Sequence, residues 1–312
     1  MSEDTRSFAA PPEAGPEGGD LLPEHESRLR GTLAGLVRNR LALFGLLVLG
    51  TLLVVGVFGS WLAPAHPTAV DIPNRLAPPS LDSPFGTDHL GRDVFSRVLV
   101  GARVSLQVAA IAVGISLVAG VTLGLIAGYY GRLVDDVIMR LMDVLFAFPA
   151  ILLAIAILGV LGPTMTNAMI AVGIVFTPIF ARVTRGSVLS VREETYVRAT
   201  RSLGASDLRL IRLHILPNVM APIIVQASVS LAFAILIEAA LSFLGLGVQP
   251  PNPSWGRMLL DGRDVLRQAW WVTFFPGLAI FFTVAAFNFV GDALRDVLDP
   301  RQRSVIESRG RA

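Results

Sequence analysis

Few side chains in this sequence could do covalent chemistry, and those few are scattered. There is no Cys among the 312 residues, and all 26 residues counted as Lys plus Arg are Arg. Without Cys there are no disulfides, no thiolate nucleophile and no Cys-ligated metal. Without Lys there is no ordinary phosphate-binding P-loop, whose terminal Lys must reach the β- and γ-phosphates, so any ATP used must be bound by another chain. His25, His66, His89 and His214 have no metal-ligand spacing. What remains is a handful of charges whose meaning depends on where they sit. Glu238 is the one acid deep inside a long apolar run. Inserting an ionised group at that depth costs about 2.5 to 3.5 kcal/mol, so it must face protein or water; lining a pathway and pairing with a helix neighbour are both open. Asp88, Arg92 and Asp93 lie in a polar stretch punctuated by Gly86 and Gly91. They form either an exposed contact surface or gate, or a turn whose residues cap the next helix and pair with one another. Arg140 and Asp143, three apart, fit an ion pair on one helix face.

The elements that must hold these groups are membrane helices. Hydrophobic residues make up 53% and charged residues only 16%, well under the usual quarter, with a mean hydropathy of +0.63. A span takes roughly 20 apolar residues. Apolar runs place spans at 41–63, 104–130, 137–161, 164–181, 217–246 and 269–291, the third carrying Arg140 and Asp143 in its first turns and the fifth continuing through Glu238. The third and fourth are separated at Gly162-Pro163, because one straight helix over 144–181 would overshoot a core of about 30 Å at 1.5 Å per residue. The run at 41–63 exceeds the 7 to 15 residues of a signal-peptide core and follows about 40 residues of chain, so it reads as a retained anchor. Gly120, Gly124 and Gly128 form a small-xxx-small stripe in the second span, fit for close helix approach or simply ordinary membrane-helix glycine content. Residues 1–27, rich in Pro, Gly and acids, read as a disordered tail, and 28–40 as a basic amphipathic interfacial helix. The stretches 64–103 and 247–268 read as external loops, and 292–312 as a second tail.

Six spans put both termini on one side. Nineteen of the 26 Arg fall in the tails and in the loops at 131–140 and 182–216, which makes that side, and both termini, cytoplasmic. Trp61, Trp255, Trp270 and Trp271 all fall at the opposite face, where indole rings suit an interface. The 182–216 loop is the most structured polar segment. Helix formers run to Leu203, Gly204 can end a helix in the left-handed region, and Ser206 can cap a second helix. In that second helix Leu208, Ile211 and Ile215 share one face, and Arg209 and Arg212 another.

The stretch VRATRSLGAS (197–206) continuing to HILPN (214–218) resembles the cytoplasmic "EAA" loop of ABC importer permeases. FGTDHLGRDVFSR (85–97) with GARVS (101–105), and LSFLGLGVQPPNPSWG (241–256), are similar to the C-type subunits of the dipeptide, oligopeptide and nickel permease family. The resemblance spans roughly residues 30 to 300. It implies an all-α polytopic fold of the type I importer kind. It also implies a translocation pathway shared with a homologous B-type permease, two ABC ATPases carrying ATP and Mg²⁺, and an extracytoplasmic solute-binding protein. On that resemblance the ATPase-coupling loop comprises Arg198, Ala199, Thr200, Gly204, Ala205, Ser206, Asp207, Arg209 and Pro217, and Asp88, Arg92 and Asp93 become a gate or binding-protein contact. Arg198, Ala199 and Thr200 stand where the family name has Glu-Ala-Ala, so no carboxylate role attaches there. The implied solutes are di- and oligopeptides, nickel complexes or glutathione. The implied site is a bacterial or archaeal cytoplasmic membrane, with lipid as solvent, no cofactor or metal on this chain, no nucleic acid and no catalytic residue. A stand-alone ion-coupled carrier needs more buried charge than Glu238 alone, and an intramembrane enzyme needs a nucleophile and base that the spans do not offer.

Overall fold

The computed structural model describes residues 39–298. The tail at 1–27, the interfacial helix up to residue 38 and the chain after 298 lie outside the described residues. Among the described residues nine α-helices follow in order, besides a 3-10 turn at Ile72–Asn74: α1 (Arg40–Leu62), α2 (Val94–Tyr130), α3 (Arg132–Phe146), α4 (Ala150–Leu161), α5 (Met165–Val191), α6 (Thr195–Ser202), α7 (Asp207–Phe243), α8 (Trp255–Arg263) and α9 (Trp271–Leu298). Five are long and apolar enough to cross a membrane, and the bent pair α3–α4 brings the number to six if it counts as one span.

The core is built around the pairing of α2 with α5. Gly120, Gly124 and Gly128 make it close: a Cβ on Gly120 would lie 2.5 Å from Phe180 Cβ, and one on Gly124 2.5 Å from the Ala181 carbonyl oxygen. In lipid such backbone proximity supplies the dispersion that holds helices together, since the hydrophobic effect does not act between spans. α7 packs on α2, α5 and α9, and α1 on α2 and α9. α1 starts on Asn39, whose Oδ1 accepts from Leu41 N (3.0 Å) and Ala42 N (3.3 Å). It leaves Leu47, Leu53 and Val57 on its outer face, as a lipid-exposed helix does.

Several boundaries differ from the sequence reading, each for a physical reason. α2 begins at Val94 rather than 104, because Asp93 caps it: Oδ2 accepts from Ser96 N (2.8 Å) and Ser96 Oγ (2.6 Å). The third span is not one helix over 137–161. It bends by 92° between α3 and α4, where Pro149 has no N–H to continue the ladder and disfavours helical geometry at Phe148. α5 runs past 181 to Val191 and α9 past Gly291 to Leu298, since loss of apolar character does not by itself end a helix and Gly291 is accommodated within one. The external stretch 247–268 contains α8, capped by Ser254 Oγ accepting from Arg257 N (3.2 Å). Asp143 pairs with Arg182 of α5 (2.8 Å), which also lies 4.2 Å over the Phe146 ring, and not with Arg140. Trp255 and Trp271 are buried, their indole N–H groups donating to Val98 O (3.0 Å) and Thr87 O (3.1 Å). Only Trp61 and Trp270 are exposed as interfacial rings should be.

Candidate functional site

The hairpin expected between the fourth and fifth spans is formed by α6, a turn at 203–206 and the start of α7. Its turn has the two hydrogen bonds of a Schellman motif, Ala205 N to Thr200 O (3.4 Å) and Gly204 N to Arg201 O (3.0 Å), with Gly204 at φ +82°. That conformation suits a residue without Cβ. Nothing lies within 4 Å of where a Gly204 Cβ would be, so the glycine is there for the backbone and not for packing. Ser206 occupies the N-cap position of α7 but makes no side-chain cap.

The second limb is not a separate helix ending at Pro217. It runs on into the fifth span, with a π-helical stretch at Leu210–Ile215 in which Leu216 N bonds to Ile211 O. Pro217 has no N–H to donate, and a wider turn just before it absorbs the missing bond. The π turn also shifts the faces. Leu210 and Ile215 are fully buried while Leu208 is 75% exposed, so the expected Leu208–Ile211–Ile215 stripe does not form. Val197 anchors α6 in the core, and Leu203 is 88% exposed at the tip. Arg198, Arg209 and Arg212 are exposed beside the turn, as are Ser206 and Asp207.

The hairpin is tied to the end of α2. Tyr129 OH donates to Asp207 Oδ1 at 2.5 Å, and the Arg201 guanidinium lies 5.2 Å over the Tyr129 ring. Tyr196 OH donates to His214 O (3.4 Å) across the hairpin. Burial and the Glu194 carboxylate push that phenol above its ordinary value, so it keeps its proton. Nearby, Arg185 grips Asp135 of α3 through Nε and Nη2 (2.5 and 2.6 Å), and Arg192 Nη1 donates to Gly128 O (2.6 Å).

Asp88, Arg92 and Asp93 gather at the opposite end of α2, roughly 55 Å away for a 37-residue helix. All three are buried, at 2%, 7% and 7% exposure. Arg92 Nε pairs with Asp88 Oδ2 (2.6 Å) and Nη2 with Asp261 Oδ2 (3.2 Å). Arg97 joins the same two carboxylates at 3.5 and 3.6 Å, and Arg257 reaches Asp261 Oδ1 at 3.0 Å. Gly86 and Gly91 take positive φ in the intervening turn. Sequence reasoning missed Arg97, Arg257, Asp261 and Tyr129. Asp93-x-x-Ser96 is a capping pattern that could have revealed Arg97 as a helix residue; the long-range pairs leave no local signal.

Glu238 is 1% exposed, and its Oε1 accepts from Ser242 Oγ (2.8 Å), which in turn accepts from Val248 N (3.1 Å). This chain of bonds pins the turn after α7. Glu238 Oε2 has no partner among the described residues. No group of three or more His, Asp or Glu among them could hold a metal.

Residues 120–304 match the family described as binding-protein-dependent transport system inner membrane component. The chain belongs to that family. Residues 27–79 of the permease also match the N-terminal transmembrane domain of oligopeptide transport permease C. The dipeptide transport system permease protein DppC of Alkalihalophilus pseudofirmus is 47% identical to it over 93% of this chain and 96% of that protein. The di/tripeptide transport system permease protein DppC of Pseudomonas aeruginosa is 45% identical (90% and 94%). The glutathione transport system permease protein GsiD of Escherichia coli is 48% identical (85% and 88%). A chain of the inward-facing MetNI methionine ABC transporter shares the fold, with a TM-score of 0.54 at 16% identity over 65% of this chain and 96% of that one. The permease is therefore a multi-pass transport subunit of an ABC importer, of the C type, and not an enzyme.

Proposed function

We propose that this permease forms half of a translocation pathway for di- or oligopeptides or glutathione, with nickel complexes as a further solute class. A homologous B-type permease supplies the other half, two ATPases carry ATP and Mg²⁺, and an extracytoplasmic protein delivers the solute. Both termini and the α6–α7 hairpin face the cytoplasm, and the Asp88–Arg92–Asp93 loop faces outward. The observation that carries this reading is the hairpin itself. Its Schellman turn presents Leu203 and Leu208 to solvent between Arg198 and Arg209, while Val197, Leu210 and Ile215 fix its base in the bundle. An apolar tip on a short rigid support suits a protein groove, and its direct continuation into α7 lets a push on the tip move a span. Alternating access needs no catalytic group here, which fits a chain without Cys or Lys.

The role of the buried charges follows from their partners. Asp88 and Arg92 hold the outer loop against α8, Asp93 caps α2, and Glu238 holds the turn after α7; each acts on the pathway through shape. The test is uptake into proteoliposomes containing the permease, its cognate subunits and the binding protein. Labelled dipeptide, oligopeptide, glutathione and a nickel complex are offered in turn, with ATP or a non-hydrolysable analogue on the ATPase side. ATP-dependent uptake of a peptide or glutathione is expected; uptake indifferent to ATP, or driven by an ion gradient alone, would overturn the proposal.

A further inference from the structure

Around its cavity the outer cluster is richer in guanidinium than in carboxylate. Arg92, Arg97 and Arg257 meet there, and the carboxylates that pair with them are Asp88 and Asp261; Arg97 Nη1 also donates to Pro67 O (3.0 Å), while Asp93 is engaged in capping α2 and forms no ion pair with them among the described residues. The side chains of Arg92 and Arg97 are 8% and 2% exposed, so water does little to screen the excess. Asp261 already serves all three guanidiniums. Arg92, Arg97, Arg257 and Asp261 wall a cavity of about 110 Å³, together with His89 and Asn252. His89 Nδ1 is buried there with no hydrogen-bond partner. The walls thus offer an excess of donors, and their one carboxylate is engaged. That is the pattern of a site short of one anion.

Size and position narrow the ligand. A water molecule takes about 30 Å³, and pockets for whole small molecules run to about 300 Å³ or more, so this cavity fits a carboxylate head and a water or two but no peptide body. Its rim is the exposed loop at 250–252, and Arg257 is the most accessible guanidinium at 22%. The mouth therefore opens on the loop surface that an approaching protein meets first. We infer that the Arg92–Arg97–Arg257 cavity receives an Asp or Glu side chain of the docked solute-binding protein. This rests on the binding-protein requirement and the outward orientation proposed above. The inserted carboxylate completes the ion cluster, and because Arg92 and Arg97 flank the N-terminus of α2 while Arg257 and Asp261 lie on α8, it ties docking to the spacing of those two helices.

The experiment uses the assembled transporter in nanodiscs, titrated with binding protein while ATP hydrolysis and binding are measured at two salt concentrations. Arg257→Ala should raise the binding-protein concentration for half-maximal stimulation at least about tenfold, as truncating one partner of a desolvated charge pair does, and should flatten the salt dependence. Arg257→Lys should fall between, because it keeps charge but loses the fork. Asn252→Asp, on the exposed rim and outside the buried network, should weaken docking by adding a like charge, and it serves if Arg257→Ala does not assemble. Arg263→Ala, paired only with Asp264 at the surface, should change nothing. Unchanged half-maximal concentrations in Arg257→Ala and Asn252→Asp would overturn the inference. So would a defect confined to uptake of peptides with a free C-terminal carboxylate and absent for amidated ones, which would make the solute the ligand. A wild-type transporter indifferent to the binding protein would instead overturn the reading beneath it.

Discussion

Gly124→Ala gives a direct measure of how α2 and α5 are held together. The added Cβ would sit 2.5 Å from the Ala181 carbonyl oxygen, 2.7 Å from Thr184 Cβ and 3.1 Å from Arg185 N. Non-bonded carbon contacts are comfortable at about 3.5 to 4.0 Å, so the helices must part locally by roughly 1 Å. Backbone atoms cannot swing aside as a side-chain tip can. Overpacking of this kind costs about 1 to 3 kcal/mol, and separation at Gly124 also loosens the close contacts at Gly120 and Gly128. The same helix carries its own control. Gly114 faces outward with nothing within 4 Å of a Cβ, so Gly114→Ala should be neutral or stabilising by up to about 1 kcal/mol through helix propensity alone. Thermal unfolding of the purified transporter, followed by size-exclusion fluorescence, reads the difference. At about 2 to 4 °C per kcal/mol for a chain of this order, Gly124→Ala should melt roughly 3 to 10 °C lower and Gly114→Ala no lower than wild type. Equal melting temperatures for the two variants would refute the close-approach argument.

Other expectations follow from single contacts. Glu238→Gln keeps an acceptor for Ser242 and should transport normally per assembled complex, whereas Glu238→Ala should lower the amount of folded complex by leaving Ser242 and a buried hole uncompensated; normal assembly of Glu238→Gln with abolished transport would make the carboxyl a pathway group. Tyr129→Phe removes the 2.5 Å bond to Asp207 but keeps the ring beneath Arg201, so uptake per ATP hydrolysed should fall several-fold at unchanged membrane level; an unchanged ratio would show that the latch does not transmit motion. Because the chain has no native Cys, Ser83→Cys should react with an impermeant maleimide in spheroplasts and Ser206→Cys should not, and the reverse result would invert the proposed topology.

The long spans were legible because lipid demands uninterrupted apolar helix, a demand that writes itself into composition. Its limits appear where charge sits inside helical structure. Arg97 and Arg103 made 94–103 read as loop, yet Arg97 is 2% exposed between Asp88 and Asp261 and α2 runs straight through it. Hydropathy also could not reveal a 92° bend inside an apolar stretch, although Phe148-Pro149 marks the place. The helical hairpin after α5 was readable from Gly204 because positive φ is a local requirement. Its buried faces were not, because the π turn before Pro217 shifts the register by one residue. Trp255 and Trp271 carried an interface signal by type while their actual work is packing and hydrogen bonding. The outer cluster was half visible. Asp88 and Arg92 are four apart in sequence, but Asp261 lies 169 residues from Arg92, and nothing in the chain announces that they meet.

The central claim is that the α6–α7 hairpin passes ATP hydrolysis to the spans, and Gly204→Val tests it most directly. A β-branched residue at φ +82° is strained by about 1 to 3 kcal/mol, and because nothing lies within 4 Å the strain stays in the turn. The measurement is ATP hydrolysis and solute uptake recorded together in the same proteoliposomes, normalised to inserted permease. The account predicts wild-type insertion with loss of ATPase association or of solute-stimulated hydrolysis, and uptake reduced at least tenfold. Wild-type hydrolysis and uptake from an inserted, assembled Gly204→Val transporter would contradict it.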